Sequence, residues 1–506
     1  MRCLLTVLLA VFLNSSTSHA ASWLIKADGT GDAPTIQDGI AAAGVSGDTV
    51  FVDDGTFTGV GNRGIDFSGK DVVVRSVNSA ALSILDANCS DRLFILQSGE
   101  TSGARIERLT LRNGFSGPYG GGIYCLNASN PTISECVIEE CEATERGGGI
   151  ALRSNSNPTI VDCTIRNNTS GLDGGGVCAF ESSPDITNTV FDGNTTGEYG
   201  GGLLCHASTG TIDNCEFRNN VAGWGGGGIS MWVNTTATFA NCTVENDSCG
   251  AAVGGGGLHV RNSSPTMSGM TIRSNKSEGR GGGIHYTNGS AGSITDSEIA
   301  LNQASLSGGG IDAFKSSPYI ARNLVHGNEA GEYGGGILCD EFTNTIEECL
   351  IYGNTGTLNG GGLSIWSNSS ATLQSLTIAR NSSGGAGGGI HSRNSTVTLD
   401  RSILAFATSG QAGFCEVGGT ITATCSDIHG NFGGDYVDCL AGQNGVNGNI
   451  DEDPLFCDKA GDDYTIANSS PAALAACGHM GSEPTGCGGP TATEETSWGE
   501  VKQMFR

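Results

Sequence analysis

The sequence predicts an all-β fold, a right-handed parallel β-helix (a solenoid) of about 14–15 coils. Three observations predict it. A Gly-Gly-Gly triplet followed by Ile, Leu or Val recurs at Ile123, Ile150, Val177, Leu203, Ile229, Leu258, Ile284, Ile311, Ile337, Leu363 and Ile390, in steps of 26 or 27 residues and once 29. Two further apolar columns keep the same step, one from Ile133, Ile160 and Ile186 to Leu399, the other from Ile138, Ile165 and Phe191 to Leu404. Each apolar run is short, β-branched and bounded by Gly, Ser, Pro or Asn, which reads as strand and leaves no room for a helix.

Three short strands per repeat then stack on those of the next repeat as parallel strands about 4.8 Å apart, giving a rod of roughly 70 Å. One coil cannot bury its inward side chains alone; the stack buries them continuously. The 82 glycines do not fall at every third position, which excludes collagen. The locked apolar spacing excludes a disordered linker.

The corners have their own columns. The triplet makes one corner, where positive φ is cheap for Gly alone. A polar column reads Asn168, Asn194, Asn220, Asn275, Asn302, Asn328, Asn354 and Asn381, with Asp247 in one coil and Cys141 and Ala407 breaking it. Asn tolerates a left-handed bend, and stacked Asn side chains bond from coil to coil.

The ends divide the chain. Residues 1–20 read as a secretory signal: Arg2, an apolar run Leu4–Leu13, and the small-x-small site Ser18-His19-Ala20. This predicts a secreted or outer cell-surface protein with no membrane-spanning segment after signal removal. Residues 21–120 hold an N-terminal cap and the first coils; Pro34 to Ala43 reads as a short amphipathic helix plugging the bottom coil. Residues 121–410 are the regular repeats. Residues 411–487 hold the last coils and a C-terminal cap, which starts near Asp453-Pro454-Leu455-Phe456. Residues 488–506 are a polar linker and a short amphipathic tail.

The formal charge of −27 repels nucleic acid and anionic lipid. Nineteen Cys are present, one of them (Cys3) in the signal. Export with an even remainder points to disulfides. Cys125 and Cys136, Cys205 and Cys215, and Cys339 and Cys349 occupy the same two inward slots of their coils, and Cys415 and Cys425 repeat the spacing. These four pairs are expected to bridge two sheets within a coil, and Cys477–Cys487 to close the cap. Cys242–Cys249 would pin the longest step. Stacking between coils, as Cys136 with Cys163 or Cys215 with Cys242, is the rival arrangement.

The opening Asp28-Gly29-Thr30-Gly31-Asp32…Thr35-Ile36-Gln37-Asp38-Gly39-Ile40 resembles the start of pectin-lyase-like β-helix proteins. The Gly-Gly-Gly-Ile and Phe-x-x-Asn repeats (Phe191…Asn194, Phe217…Asn220) resemble bacterial polymorphic outer-membrane proteins. The resemblance spans roughly residues 23–487 and implies the fold, not one activity, because lyases, hydrolases, esterases, epimerases and adhesins share it. The outer-membrane relatives end in a membrane barrel, for which residues 488–506 leave no room.

For chemistry, the residue three after each triplet's apolar residue is expected to face out. That column reads Leu126, Arg153, Phe180, His206, Trp232, Arg261, Thr287, Phe314, Asp340, Trp366 and Arg393. Flat rings beside cations on one line suit sugar faces or a protein partner. Phe180, Trp232, Arg261, Phe314, Trp366 and Arg393 are therefore the ligand-binding candidates. The neighbouring slot carries His259, His285 and Asp312 in consecutive coils, read as a solvated polar stripe, with a metal or acid–base site as the alternative. No catalytic residue, cofactor or metal ligand is assigned; Asp451, Glu452 and Asp453 offer a weak Ca²⁺ candidate. The motifs of polygalacturonase-like hydrolases, pectate lyases and alginate epimerases are absent. The sequence thus reads as a non-catalytic surface protein for adhesion or carbohydrate binding. A polysaccharide-active lyase or glycoside hydrolase and a purely structural rod are the alternatives.

Overall fold

The computed structural model describes residues 20–44, 46–250 and 254–487. The expected signal and the amphipathic tail lie outside these residues.

Successive coils follow one path. In the coil that starts at Gly120 the chain runs through Ile123–Cys125, Thr132–Ser134, Val137–Glu139 and Glu142–Ala143. Repetition builds four parallel walls, here the triplet sheet, the second sheet, the third sheet and the short sheet, of 14, 16, 15 and 11 strands. The three apolar columns are the inward positions of the first three walls. They stay in register from coil to coil, as Ile123↔Ile150, Ile133↔Ile160 and Ile138↔Ile165 do. Their side chains form one continuous buried core from Ile25 to Leu440.

The fourth wall departs from the expected three strands. Its strands have two residues, too short for an apolar pattern to reveal. Their inward residue is always small, as Ala143, Ser170, Thr196 and Ala222 show. The triplet explains why. Only its first Gly has positive φ, for example Gly147 at 69° and Gly174 at 62°. The other two are required by close approach: a Cβ on Gly175 would lie 2.5 Å from the Thr195 carbonyl oxygen and 2.6 Å from that of Gly201. The backbone of the short sheet is thus pressed against the triplets, leaving no room for a large side chain.

The Asn column is a buried ladder. Within the run each amide donates to the next coil's side-chain oxygen and to a backbone carbonyl of the coil below: Asn168 Nδ2 reaches Asn194 Oδ1 at 3.0 Å and the Ile138 oxygen at 2.9 Å, while Asn381, followed by Ala407, keeps only the carbonyl bond. Asp247 accepts from Asn220 in the same geometry, at 3.0 Å from Nδ2. Burial pushes its pKa far above the usual carboxylate range, so the group is neutral in the ladder.

The N-terminal plug is a helix, α1 (Ile36–Ala42), capped by Thr35 and Asp38 and inserting Ile36 and Ile40 into the core. At the other end the cap divides in two. A single turn at Asp438–Leu440 closes the stack, with Leu440 fully buried in the core. Residues 456–487 instead form a three-stranded sheet that lies along the flank of the third sheet, where Tyr464 packs with Leu350, Ala379 and Phe456, and Met480 with Ile403 and Ala405.

The disulfide expectations are corrected. The bridges are Cys415–Cys439, Cys425–Cys477 and Cys457–Cys487. Cys415 and Cys425 are bonded to the closing segments rather than to each other, and Cys487 pairs with Cys457 rather than Cys477. Cys125, Cys136, Cys205, Cys215, Cys339 and Cys349 are buried thiols, as are Cys242 and Cys249. In each within-coil pair one Cys lies on a triplet strand and the other at the corner between the second and third sheets, and no S–S bond joins them. Burial pushes the Cys205 and Cys349 thiols up to about 12, which makes them unreactive.

Candidate functional site

The outward positions distinguish the walls. On the second sheet the middle coils present small, solvated residues, Thr159, Asp185, Thr211, Thr238 and Thr266 being exposed, with larger Arg105, Tyr319 and Glu347 towards the ends. On the triplet sheet each strand has two outward slots. The first lies beneath the corner made by the positive-φ glycine. A Cβ on Gly174 would sit 2.7 Å from Cys178 Cβ, and one on Gly308 would sit 2.6 Å from Asp312 Cβ. The corner backbone therefore seals this slot.

His259, His285 and Asp312 occupy it, with 0%, 4% and 0% exposure. The stripe expected to be solvated is thus buried, because the overlying corner is invisible in strand periodicity. His259 stacks on His285 at 5.6 Å and on Tyr199 at 5.5 Å between ring centroids. Desolvation, with His285 and Arg261 nearby, holds its pKa well below the ordinary imidazole value, so it is neutral. Burial pushes Asp312 up to about 7, against the pull of Arg280 at 3.5 Å. Further along, His391 Nδ1 lies 2.9 Å from Ser364 Oγ, and its Nε2 lies 3.4 Å from Glu416. This Ser–His–Glu chain has a nucleophile-like order, but Ser364 is fully buried. It holds the ring in place rather than meeting a substrate.

The second slot carries the candidate binding residues, and all six are half-buried. Strand pairing aligns Phe180, His206, Trp232 and Arg261 in consecutive coils, and likewise Phe314, Asp340, Trp366 and Arg393. Phe180 stacks on His206 at 4.2 Å, and Arg261 lies over Trp232 at 5.1 Å. Arg280 lies over Phe314 at 4.8 Å and Arg393 over Trp366 at 5.3 Å. Each Trp also meets the edge of a tyrosine, Trp232 with Tyr199 at 4.1 Å and Trp366 with Tyr333 at 4.3 Å.

Those tyrosines and Arg280 are members that sequence reasoning missed. They stand immediately before the triplet, in a column reading Tyr119, Arg146, Asp173 and Tyr199 in successive coils. Its constant place was the available signal. The column leans over the triplet sheet and forms one rim of a shallow, aromatic and cationic strip.

The three acidic residues after Ile450 are not drawn together. Asp451 Oδ1 accepts from His429 Nδ1 at 3.0 Å, and Asp453 caps the Leu455 amide. Among the described residues no group of three or more His, Cys, Asp or Glu is arranged to hold a metal ion, and no helix is long and apolar enough to cross a membrane.

A solenoid of this form defines a family, and the chain belongs to it: residues 38–217 and 201–374 match the model of the right-handed β-helix region. No curated protein matches the chain. Among solved structures it is similar to the A-module of the mannuronan C-5 epimerase AlgE6 of Azotobacter vinelandii, with 15% identity over 83% of this chain and 94% of that one, TM-score 0.30. It is also similar to a mannuronic acid-specific polysaccharide family 6 lyase from the human gut microbiota, with 11% identity over 85% and 90%, TM-score 0.36. Pectate lyase Pel9A shares 12% identity over 93% and 97%, TM-score 0.23. These likenesses concern the coiled architecture alone.

Proposed function

We propose that the protein is a non-catalytic, extracellular carbohydrate-binding rod, and that the outer face of the triplet sheet is its binding face. One observation supports this reading: rings and arginines follow one another along the second slot of the triplet sheet, while the middle coils of the second sheet present mostly threonines. Half-buried rings with flanking guanidinium groups offer flat apolar contact and hydrogen-bond donors together, which suits the faces and hydroxyls of sugars. His259, Asp312 and His391 are sealed beneath the corners, while His206 and Asp340 stand between the rings of the strip itself.

The test is retention of the purified protein on a panel of alginate, polygalacturonate, xylan and amorphous cellulose. Wild type is expected to be retained on at least one, and the Trp232→Ala/Trp366→Ala double variant to be lost from it. Equal retention of both proteins would refute the assignment of the face. New reducing ends or unsaturated products would favour the lyase or hydrolase alternative instead.

A further inference from the structure

The binding face contains the same constellation twice. Arg146, Phe180, Tyr199 and Trp232 recur as Arg280, Phe314, Tyr333 and Trp366, at a constant offset of 134 residues. His259 and Arg261 recur as His391 and Arg393, the offset falling to 132 because the 29-residue step lies in the first copy. The surrounding sequence repeats with them. Ala179-Phe180-Glu181-Ser182-Ser183-Pro184 returns as Ala313-Phe314-Lys315-Ser316-Ser317-Pro318, and Gly197-Glu198-Tyr199 as Gly331-Glu332-Tyr333.

The geometry repeats as well. The Tyr–Trp pairs meet at 4.1 Å and 64° in the first copy and at 4.3 Å and 67° in the second. The tyrosine stacks on the histidine at 19° and 20°. The terminal arginine lies over the Trp at 5.1 Å and 5.3 Å. The first arginine lies over the Phe at 5.7 Å and 4.8 Å. General packing needs of a coil would not restore this order of six residues in the next five coils, since the other coils of each copy carry other residues in these slots.

We infer that the rod has two equivalent ligand sites, five coils or about 24 Å apart, and that a single polysaccharide chain engages both. The inference rests on the carbohydrate-binding reading above. A rigid solenoid fixes the spacing, so the second engagement is intramolecular and raises apparent affinity without new contacts. The copies differ in charge: His206 of the first is Asp340 in the second, and Glu181 is Lys315. Arg393 lies 3.5 Å from Glu416, whereas the strand position matching Glu416 in the first copy is Thr287. The Arg261 copy therefore fills first with a carboxylate-bearing sugar.

The test compares trimers, too short to span the two sites, with the polymer, using alginate and xylan as probes. Calorimetry of wild type is expected to count two trimers per chain. Trp232→Ala and Trp366→Ala should each leave one, and the double variant none. Alginate trimers should bind more weakly to Trp232→Ala than to Trp366→Ala. Polymer affinity should fall tenfold or more in either single variant. Arg261→Gln and Arg393→Gln, which remove only the surface cation, serve as a second pair should a Trp variant unfold. One trimer per chain in wild type, lost in one single variant and untouched in the other, overturns the two-site inference while leaving the binding face intact. No binding of trimer or polymer by wild type overturns the carbohydrate reading itself.

Discussion

The second sheet and the triplet sheet are built by the same chain, with the same parallel pairing and the same inward apolar columns. Their outer faces share almost nothing. Thr159, Thr211, Thr238 and Thr266 lie in solvent on one. On the other, Cys178, Ser230, His259 and Asp312 are sealed and Phe180, Trp232 and Arg261 are half-buried. The difference comes from the corner. The triplet folds back over its own strand, and the residue before it packs over the outward side chains, as Tyr199 does on Trp232 and Tyr333 on Trp366. A wall with such an overhang shelters large and polar side chains from water; a wall without one carries β-formers that need no shelter. Chemistry therefore concentrates where the backbone is most constrained.

Breaking the corner should have the largest effect. Gly175→Ala places a methyl against two carbonyl oxygens that belong to the stacked backbone. We expect a loss of about 3 kcal/mol or more, seen as a large fall in Tm or failure to fold. Thr211→Ala on the second sheet should stay within about 0.5 kcal/mol. Equal effects would show that the two walls are not differently constrained.

The buried slot predicts a pH dependence next in size. Asp312 titrates at about 7 in the fold and near 3.9 when unfolded. Its contribution is therefore complete below about pH 4 and is lost as pH rises through about 7, on the order of 4 kcal/mol in all. Asp312→Asn should flatten the denaturation profile between these limits. His259 behaves oppositely. Its lowered pKa gives stability that is present above about 6.5 and lost as pH falls, so His259→Phe should soften the acid limb.

A smaller gain is expected from the ladder. Asp247→Asn restores a donor amide where Oδ2 now has no partner. It should raise stability at pH 7 by about 1 kcal/mol, with less gain at pH 4; no gain at pH 7 would mean that the protonated acid already completes the ladder.

The sequence made the coil legible because burial imposes period and register on every repeat, and the triplet, the three apolar columns and the Asn ladder all carry that imprint. The short sheet was not legible, since two residues cannot show a period. The disulfides were misread because sequence spacing says which slots are inward but not which walls face each other within reach. The candidate strip was half legible. Phe180, Trp232, Arg261, Phe314, Trp366 and Arg393 were found from their column. Tyr199 and Tyr333, which form the rim, were not, because an overhang is a property of the corner and not of the strand.

The central claim is that ligand meets the triplet sheet and not its neighbour. Hydroxyl-radical footprinting tests it directly, with and without the polysaccharide that retains the protein. The account predicts protection of Trp232, Trp366, Phe180 and Phe314, with peptides carrying Thr211, Thr238 and Thr266 unchanged. Protection confined to the threonine face, or absent from both tryptophans while polymer is bound, would contradict it.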